Sequence, residues 1–152
     1  MNGLKTVSDI PINKAEIRTL IPHCGLMCLV DSVTEWDDRS ITCISNTHRD
    51  PANPLRRGGQ LSALHAFEYA AQTVAVHGGL RARLADMTAP PGYLAALRDA
   101  RLRAMRLDDI ASPLQICAHR LFGDAANSVY ECRVSASDVL LADGRITIML
   151  RM

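Results

Sequence analysis

Gln60-Leu-Ser-Ala-Leu-His-Ala-Phe-Glu-Tyr-Ala-Ala-Gln-Thr-Val-Ala-Val-His-Gly-Gly-Leu-Arg-Ala-Arg-Leu84 reads as the one long helix of this chain. At 100° per residue, Ala63, Leu64, Ala66, Phe67, Ala70, Ala71, Val74 and Ala75 fill one arc, and Ser62, His65, Glu68, Tyr69, Gln72 and Thr73 fill the other. Alanines, with no interior proline and no glycine before Gly78, favour helix intrinsically. A solvated helix face normally mixes Lys, Arg and Glu, yet between Gly58 and Leu80 the single formal charge is Glu68. That composition predicts a covered arc, as on a helix wrapped by a sheet.

The flanks supply the sheet. Upstream, Met27–Trp36 is rich in β-formers and Asp37-Asp38 is a turn signal. Ser40–Thr47 alternates with Ile41, Cys43 and Ser45 on one face, predicting a hairpin. His48–Gly59 carries two prolines and two glycines and reads as an irregular loop. Residues 1–20 form an N-terminal extension, in which Lys14–Leu20 can make two helical turns. Downstream, Tyr93–Met105, Leu114–Phe122 and Ser128–Ala136 read as strands, with Gly123-Asp124 as a turn. Asp143-Gly144 is expected to turn a last hairpin into a closing strand carrying Ile146, Ile148 and Leu150. One helix after a first hairpin, then a run of antiparallel strands, is an α+β plan in a single domain spanning 1–152.

Composition removes several function classes. Seventeen Lys+Arg against sixteen Asp+Glu leave a net charge of +1, which gives no electrostatic footing for nucleic acid or an anionic membrane. No uncharged run approaches the ~20 residues of a spanning helix. The N-terminus lacks the apolar core of a signal peptide. Five cysteines, an odd count with no C-x-x-C, point to a reduced, cytoplasmic protein.

A lone carboxylate on a covered arc is costly unless paired or neutral. His65 and Gln72 lie three and four residues from Glu68, within reach along the helix. Glu68 is therefore either a satisfied buried carboxylate or a general acid/base tuned by burial. Arg56-Arg57-Gly58-Gly59 runs toward the helix start, where free N–H groups and the dipole favour an anion or a developing oxyanion. An ordinary turn explains the glycines equally well. His23, Cys24 and Cys28 cluster, but C-x3-C without a second pair is a poor zinc site, and no metal is expected.

Three stretches carry a resemblance. Ile21-Pro-His23 with Met27-Cys-Leu-Val-Asp31-Ser-Val33 is similar to the opening of the β-hydroxyacyl-(acyl carrier protein) dehydratases. Ala66-Phe67-Glu68-Tyr69-Ala70-Ala71-Gln72 resembles their central-helix motif, and Asp143–Leu150 their last strand. The likeness spans roughly residues 20–150 and is nearest to the divergent branch found in gene clusters for aryl polyenes and related lipids. It implies the hotdog fold, an antiparallel sheet wrapped around one long helix, with protomers paired so that acyl tunnels form between them. The chain departs from the family at one point: where the standard loop histidine stands, this sequence has Pro54. Glu68 carries over by position; the histidine does not. His23, His48 or His65 are the candidates to replace it, with His23 the first choice and His48 the second.

The resemblance implies removal of water from a 3-hydroxyacyl thioester on acyl carrier protein, in fatty acid or polyene biosynthesis. In that reading a histidine, His23 foremost, takes the C2 proton and Glu68 protonates the departing hydroxyl. Amides near Gly58 and Gly59 hold the enolate oxygen, Gln72 orients the carboxyl, and Arg56 or Arg57 meets the phosphopantetheine phosphate. No cofactor is expected beyond that carrier-bound arm. The alternatives are a hotdog thioesterase and a non-catalytic partner subunit of an active dehydratase. A homodimer or larger assembly, possibly with a second hotdog subunit, is expected.

Overall fold

In the computed structural model, which describes residues 11–151, the chain enters through a short helix packed against the long helix. This helix, α1 (Lys14–Leu20), begins where the Asn13 side chain accepts the Glu16 amide at 3.0 Å, and it buries Ile17 completely. The Ile12 and Val33 backbones exchange hydrogen bonds, so the extension closes over the first strand. The first ten residues of that extension lie outside the described residues.

Six antiparallel strands follow: β1 (Ser32–Trp36), β2 (Ser40–Ser45), β3 (Gly92–Leu102), β4 (Leu114–Gly123), β5 (Asn127–Ala136) and β6 (Val139–Leu150). Their spatial order is β1-β2-β4-β5-β6-β3. The long helix α2 (Ala66–Leu84) lies across the inner face, which gives the expected hotdog layout. Two cross-strand rows floor the core: Ile41–Ala118–Cys132–Gly144 and Cys43–Ile116–Val134–Ala142. Their alternate neighbours, His119, Glu131, Arg133 and Arg145, face out. Gly144 in the first row admits the helix. A Cβ there would stand 3.1 Å from Phe67 Cε1, so a side chain would press on α2.

Three boundaries differ from the sequence reading. The helix starts at Ala66, after a single 3-10 turn at Ala63–His65, and not at Gln60. Residues 60–62 are instead drawn out to meet the 105–108 segment: Ala63 N donates to Met105 O, Leu107 N to Leu61 O, and Leu61 N to Asp108 Oδ1. Tertiary pairing there outweighs helix propensity. The first strand starts at Ser32 because the backbone of Met27 and Leu29 is bonded by side chains and not by a neighbouring strand. The final hairpin turns at Ser137-Asp138, whose φ values of 49° and 63° are the left-handed pair a two-residue turn requires. Asp143-Gly144 lies inside β6, opposite Arg133 and Cys132.

β3 is an edge strand, paired only with β6, and almost all of its residues are exposed in the isolated protomer. With neither face covered it need not alternate, which explains its helix-like composition. Elsewhere the turns follow the sequence. Asp37 Oδ1 accepts the Arg39 and Ser40 amides, and Asp124 Oδ1 those of Ala126 and Asn127.

Candidate active site

The polar arc of α2 divides in two. Tyr69, Gln72 and Thr73 are buried, whereas Glu68 faces outward and is exposed in the single chain. The chain alone therefore does not bury the carboxylate. Leu64, itself exposed, lies one turn earlier on the same side.

His23 comes from the segment between α1 and β1. Its ring is half-buried, and its Nδ1 is sequestered without a hydrogen-bond partner. Burial lowers the imidazole pKa below its ordinary 6.5, and the Glu68 charge acts in the opposite direction. The structure thus brings His23 and Glu68 into one electrostatic neighbourhood within a single protomer.

The other candidates are placed differently. His48 is fully buried, and its Nε2–H donates to the Ile110 carbonyl at 3.0 Å. Burial holds its pKa down against the Ile110 and Ser112 carbonyls, and the charges it feels come from Arg49 and Arg56. It pins the irregular loop to the segment before β4. His65 stands half-buried in the turn that opens α2. Gly58 and Gly59 do not run into the helix. They form an exposed two-residue turn with φ of 58° and 76°, closed by the Arg57–Gln60 backbone pair, and residues 60–65 separate them from α2. Arg56 donates to the Gly59 and His48 carbonyls, and Arg57 to those of Pro54 and Arg56, so both guanidinium groups brace their own loop.

Gln72 does not orient Glu68 either. Its Oε1 accepts the Leu29 amide at 2.8 Å and its Nε2 donates to the Met27 carbonyl at 2.7 Å. These bonds end a directional chain that the sequence reading missed. Asn53 Nδ2 donates to the Tyr69 hydroxyl (3.2 Å) and Tyr69 donates to Thr47 Oγ1 (2.7 Å). Thr47 in turn donates to the Leu29 carbonyl (2.7 Å). Ser45 Oγ reaches the same carbonyl at 2.5 Å. Burial raises the Tyr69 pKa, so the phenol stays a donor. The buried loop asparagine next to Pro54, together with the tyrosine next to Glu68, was the available signal. Each alone is an ordinary polar residue, and their meeting is a tertiary fact.

A groove of about 720 Å³ lies on the outer sheet face, lined by residues such as Thr42, Cys117, His119 and Arg133, remote from His23 and Glu68. A cleft of about 220 Å³, bounded by Lys14, Leu26, Cys28, Asp31, Thr47 and Asn53, flanks the segment that follows His23. Among the described residues no group of three or more His, Cys, Asp or Glu side chains is arranged to hold a metal ion.

A chain of the dehydratase heterocomplex ApeI:P from Xenorhabdus doucetiae superposes with a TM-score of 0.82 at 23% identity, over 90% of this chain and 91% of that one. Cj0977, a sigma28-regulated virulence protein from Campylobacter jejuni, superposes at 0.60 and 12% identity, over 89% and 86%. A hypothetical thioesterase protein with coenzyme A from Streptococcus pneumoniae TIGR4 does so at 0.55 and 10%, over 78% and 84%. These likenesses establish a shared fold. A search of curated protein sequences finds no match. The profile of the ApeP-like family, described as ApeP dehydratase, matches residues 15–151 and so takes in the His23 segment, α2 and every strand of the sheet. The chain belongs to the ApeP-like family.

Proposed function

We propose that this chain is a hotdog dehydratase subunit that removes water from 3-hydroxyacyl thioesters carried on acyl carrier protein, giving trans-2-enoyl thioesters. The reading is supported by the half-buried His23 imidazole, whose Nδ1 lacks a hydrogen-bond partner and which lies in the field of the Glu68 carboxylate. Neutral His23 takes the C2 proton, the C2–C3 double bond forms, and the C3–O bond breaks. Glu68 protonates the departing hydroxyl, so water leaves, and proton return from His23 to Glu68 resets the pair. A base must be neutral to act, and a pKa held below 6.5 keeps the His23 ring neutral at pH 7.

The subunit works paired with a second hotdog chain, either a copy of itself or a distinct one, by analogy with the heterocomplex ApeI:P. The exposed Glu68 and the unpaired β3 edge, with Tyr93, Leu94, Leu97 and Leu102 exposed on it, support that reading. An edge strand of this length is normally covered. The loop where the family histidine is lacking, braced by Arg56 and Arg57, specifically favours a second reading, in which the chain shapes the acyl channel of an active partner. Phosphopantetheine arrives on the carrier, so the subunit needs no resident cofactor. All five thiols are free, which suits the cytoplasm, and no helix among the described residues is long and apolar enough to cross a membrane.

The test is incubation of the chain, alone and with a partner hotdog subunit, with a 3-hydroxyacyl carrier protein, following the mass of the intact carrier. Loss of water with the chain alone supports catalysis by His23 and Glu68. Loss only with the partner, unchanged when Glu68 is replaced, supports the channel-shaping role. Release of free carrier would indicate a thioesterase.

A further inference from the structure

We propose that Gln72 is a positioning residue that locks the His23-bearing segment to the helix that carries Glu68. The inference rests on the His23–Glu68 reading and adds the part that holds the two together. Gln72 lies one helical turn beyond Glu68, is 1% exposed, and uses both ends of its amide on the segment that follows His23. That segment carries a single 3-10 turn, Gly25–Met27, and no strand pairing before β1. The Met27 amide donates to the Cys24 carbonyl at 3.2 Å, and Cys28 donates to that of Gly25 at 3.2 Å. The path from α2 to His23 is therefore short: Gln72 to Met27, Met27 to Cys24, and Cys24 is bonded to His23. From the other side, Thr47 and Ser45 hold the Leu29 carbonyl, and Tyr69 and Asn53 hold Thr47.

The residue type fits the task. An amide offers one acceptor and one donor on the same planar group, which the Leu29 N–H and the Met27 C=O require together. A carboxylate of the same shape could accept from Leu29 but would set a second acceptor against the Met27 carbonyl. A methionine could do neither. Buried and fully satisfied, such a bridge fixes one relative placement of two backbone segments.

The experiment compares wild type with Gln72→Met and Gln72→Glu, the latter retaining one of the two bonds. Turnover of a 3-hydroxyacyl carrier protein is measured in the presence of the partner subunit, together with the NMR titration of the His23 ring. The expected result is a fall in kcat on the order of 10²-fold with KM little changed, because substrate binding survives while the base is misplaced. The His23 midpoint should also move from its wild-type value. Two folded variants with wild-type kcat and an unmoved His23 titration would overturn the proposal and leave Gln72 a core residue. A wild-type Leu29 amide exchanging as fast as an unprotected loop amide would overturn it as well, whatever the variants do. Glu68→Gln separates the two levels. If that change leaves the His23 titration untouched, the pairing itself fails; if it shifts His23 while the Gln72 variants do not, only the positioning role fails.

Discussion

The Glu68 carboxylate raises the pKa of the His23 imidazole against the burial that lowers it, so a helix residue and a loop residue share one field within a single protomer. Burial is the larger effect, and the folded pKa lies below 6.5. A base is active when deprotonated. The acidic limb of kcat/KM for the proposed dehydration should therefore be centred below pH 6.5. A limb centred above 6.5 would assign the base to another group.

His77 governs the pH dependence of stability more than of activity. It is fully buried in α2, with its Nε2–H donating to the Asp37 carbonyl (2.7 Å) and its Nδ1 accepting the Tyr130 hydroxyl (2.6 Å). Trp36 and Tyr130 meet the ring edge-on. Its folded pKa is lowered, chiefly by burial, so the stabilisation from the neutral ring is present above the unfolded value of 6.5 and is lost as the pH falls below it. His23 and His48 shift the same way. Urea titrations should show stability falling from pH 7 to pH 5, less steeply in His77→Gln. That variant should be less stable at pH 7 by about 1–3 kcal/mol, the cost of unpaired buried groups. An unchanged slope would contradict this account of His77.

The last hairpin offers a local test. Asp138 sits at φ 63°, where an L-residue is strained. Asp138→Gly should be neutral or stabilising by up to about 1 kcal/mol, while the β-branched Asp138→Val should cost about 1 kcal/mol or more. Gly144→Val should destabilise by about 1–3 kcal/mol through overpacking against Phe67. Thermal melts decide all three, and a tolerated Asp138→Val would contradict the turn assignment.

Assembly is expected through β3. At micromolar concentration the chain, or the chain with its partner subunit, should scatter light as a dimer or larger. Leu94→Glu, placing a charge on the exposed edge strand, should shift it toward monomer. A strictly monomeric wild type with and without partner would leave Glu68 open to solvent and remove the covered channel.

The layout was legible because period-2 alternation in β2, β4 and β5 and the uncharged helix arc report burial directly. Asp143-Gly144 misled because Asp-Gly is a turn signal only where both residues need left-handed backbone, whereas Gly144 is there to admit Phe67. The helix start misled because residues 60–62 are claimed by a partner segment more than forty positions away. At the site, Glu68 could be proposed from motif resemblance and His23 from its position before β1. The bonds made by Gln72, Tyr69, Thr47 and Asn53 were not legible, since each joins segments whose proximity only the fold creates. Gly58 and Gly59 stand in a turn of their own and not at the helix start, and the Arg56 and Arg57 side chains bond carbonyls of their own loop.

The central claim, that His23 and Glu68 are the working base and acid, is tested most directly by intact-mass measurement of the rate at which a 3-hydroxyacyl carrier protein loses water. Wild type should be compared with His23→Asn and Glu68→Gln, each in the presence of the partner subunit. The account predicts that both variants fold and assemble as wild type does, and that each loses about 10²–10⁴-fold in rate. Wild-type rates in either folded variant would contradict it.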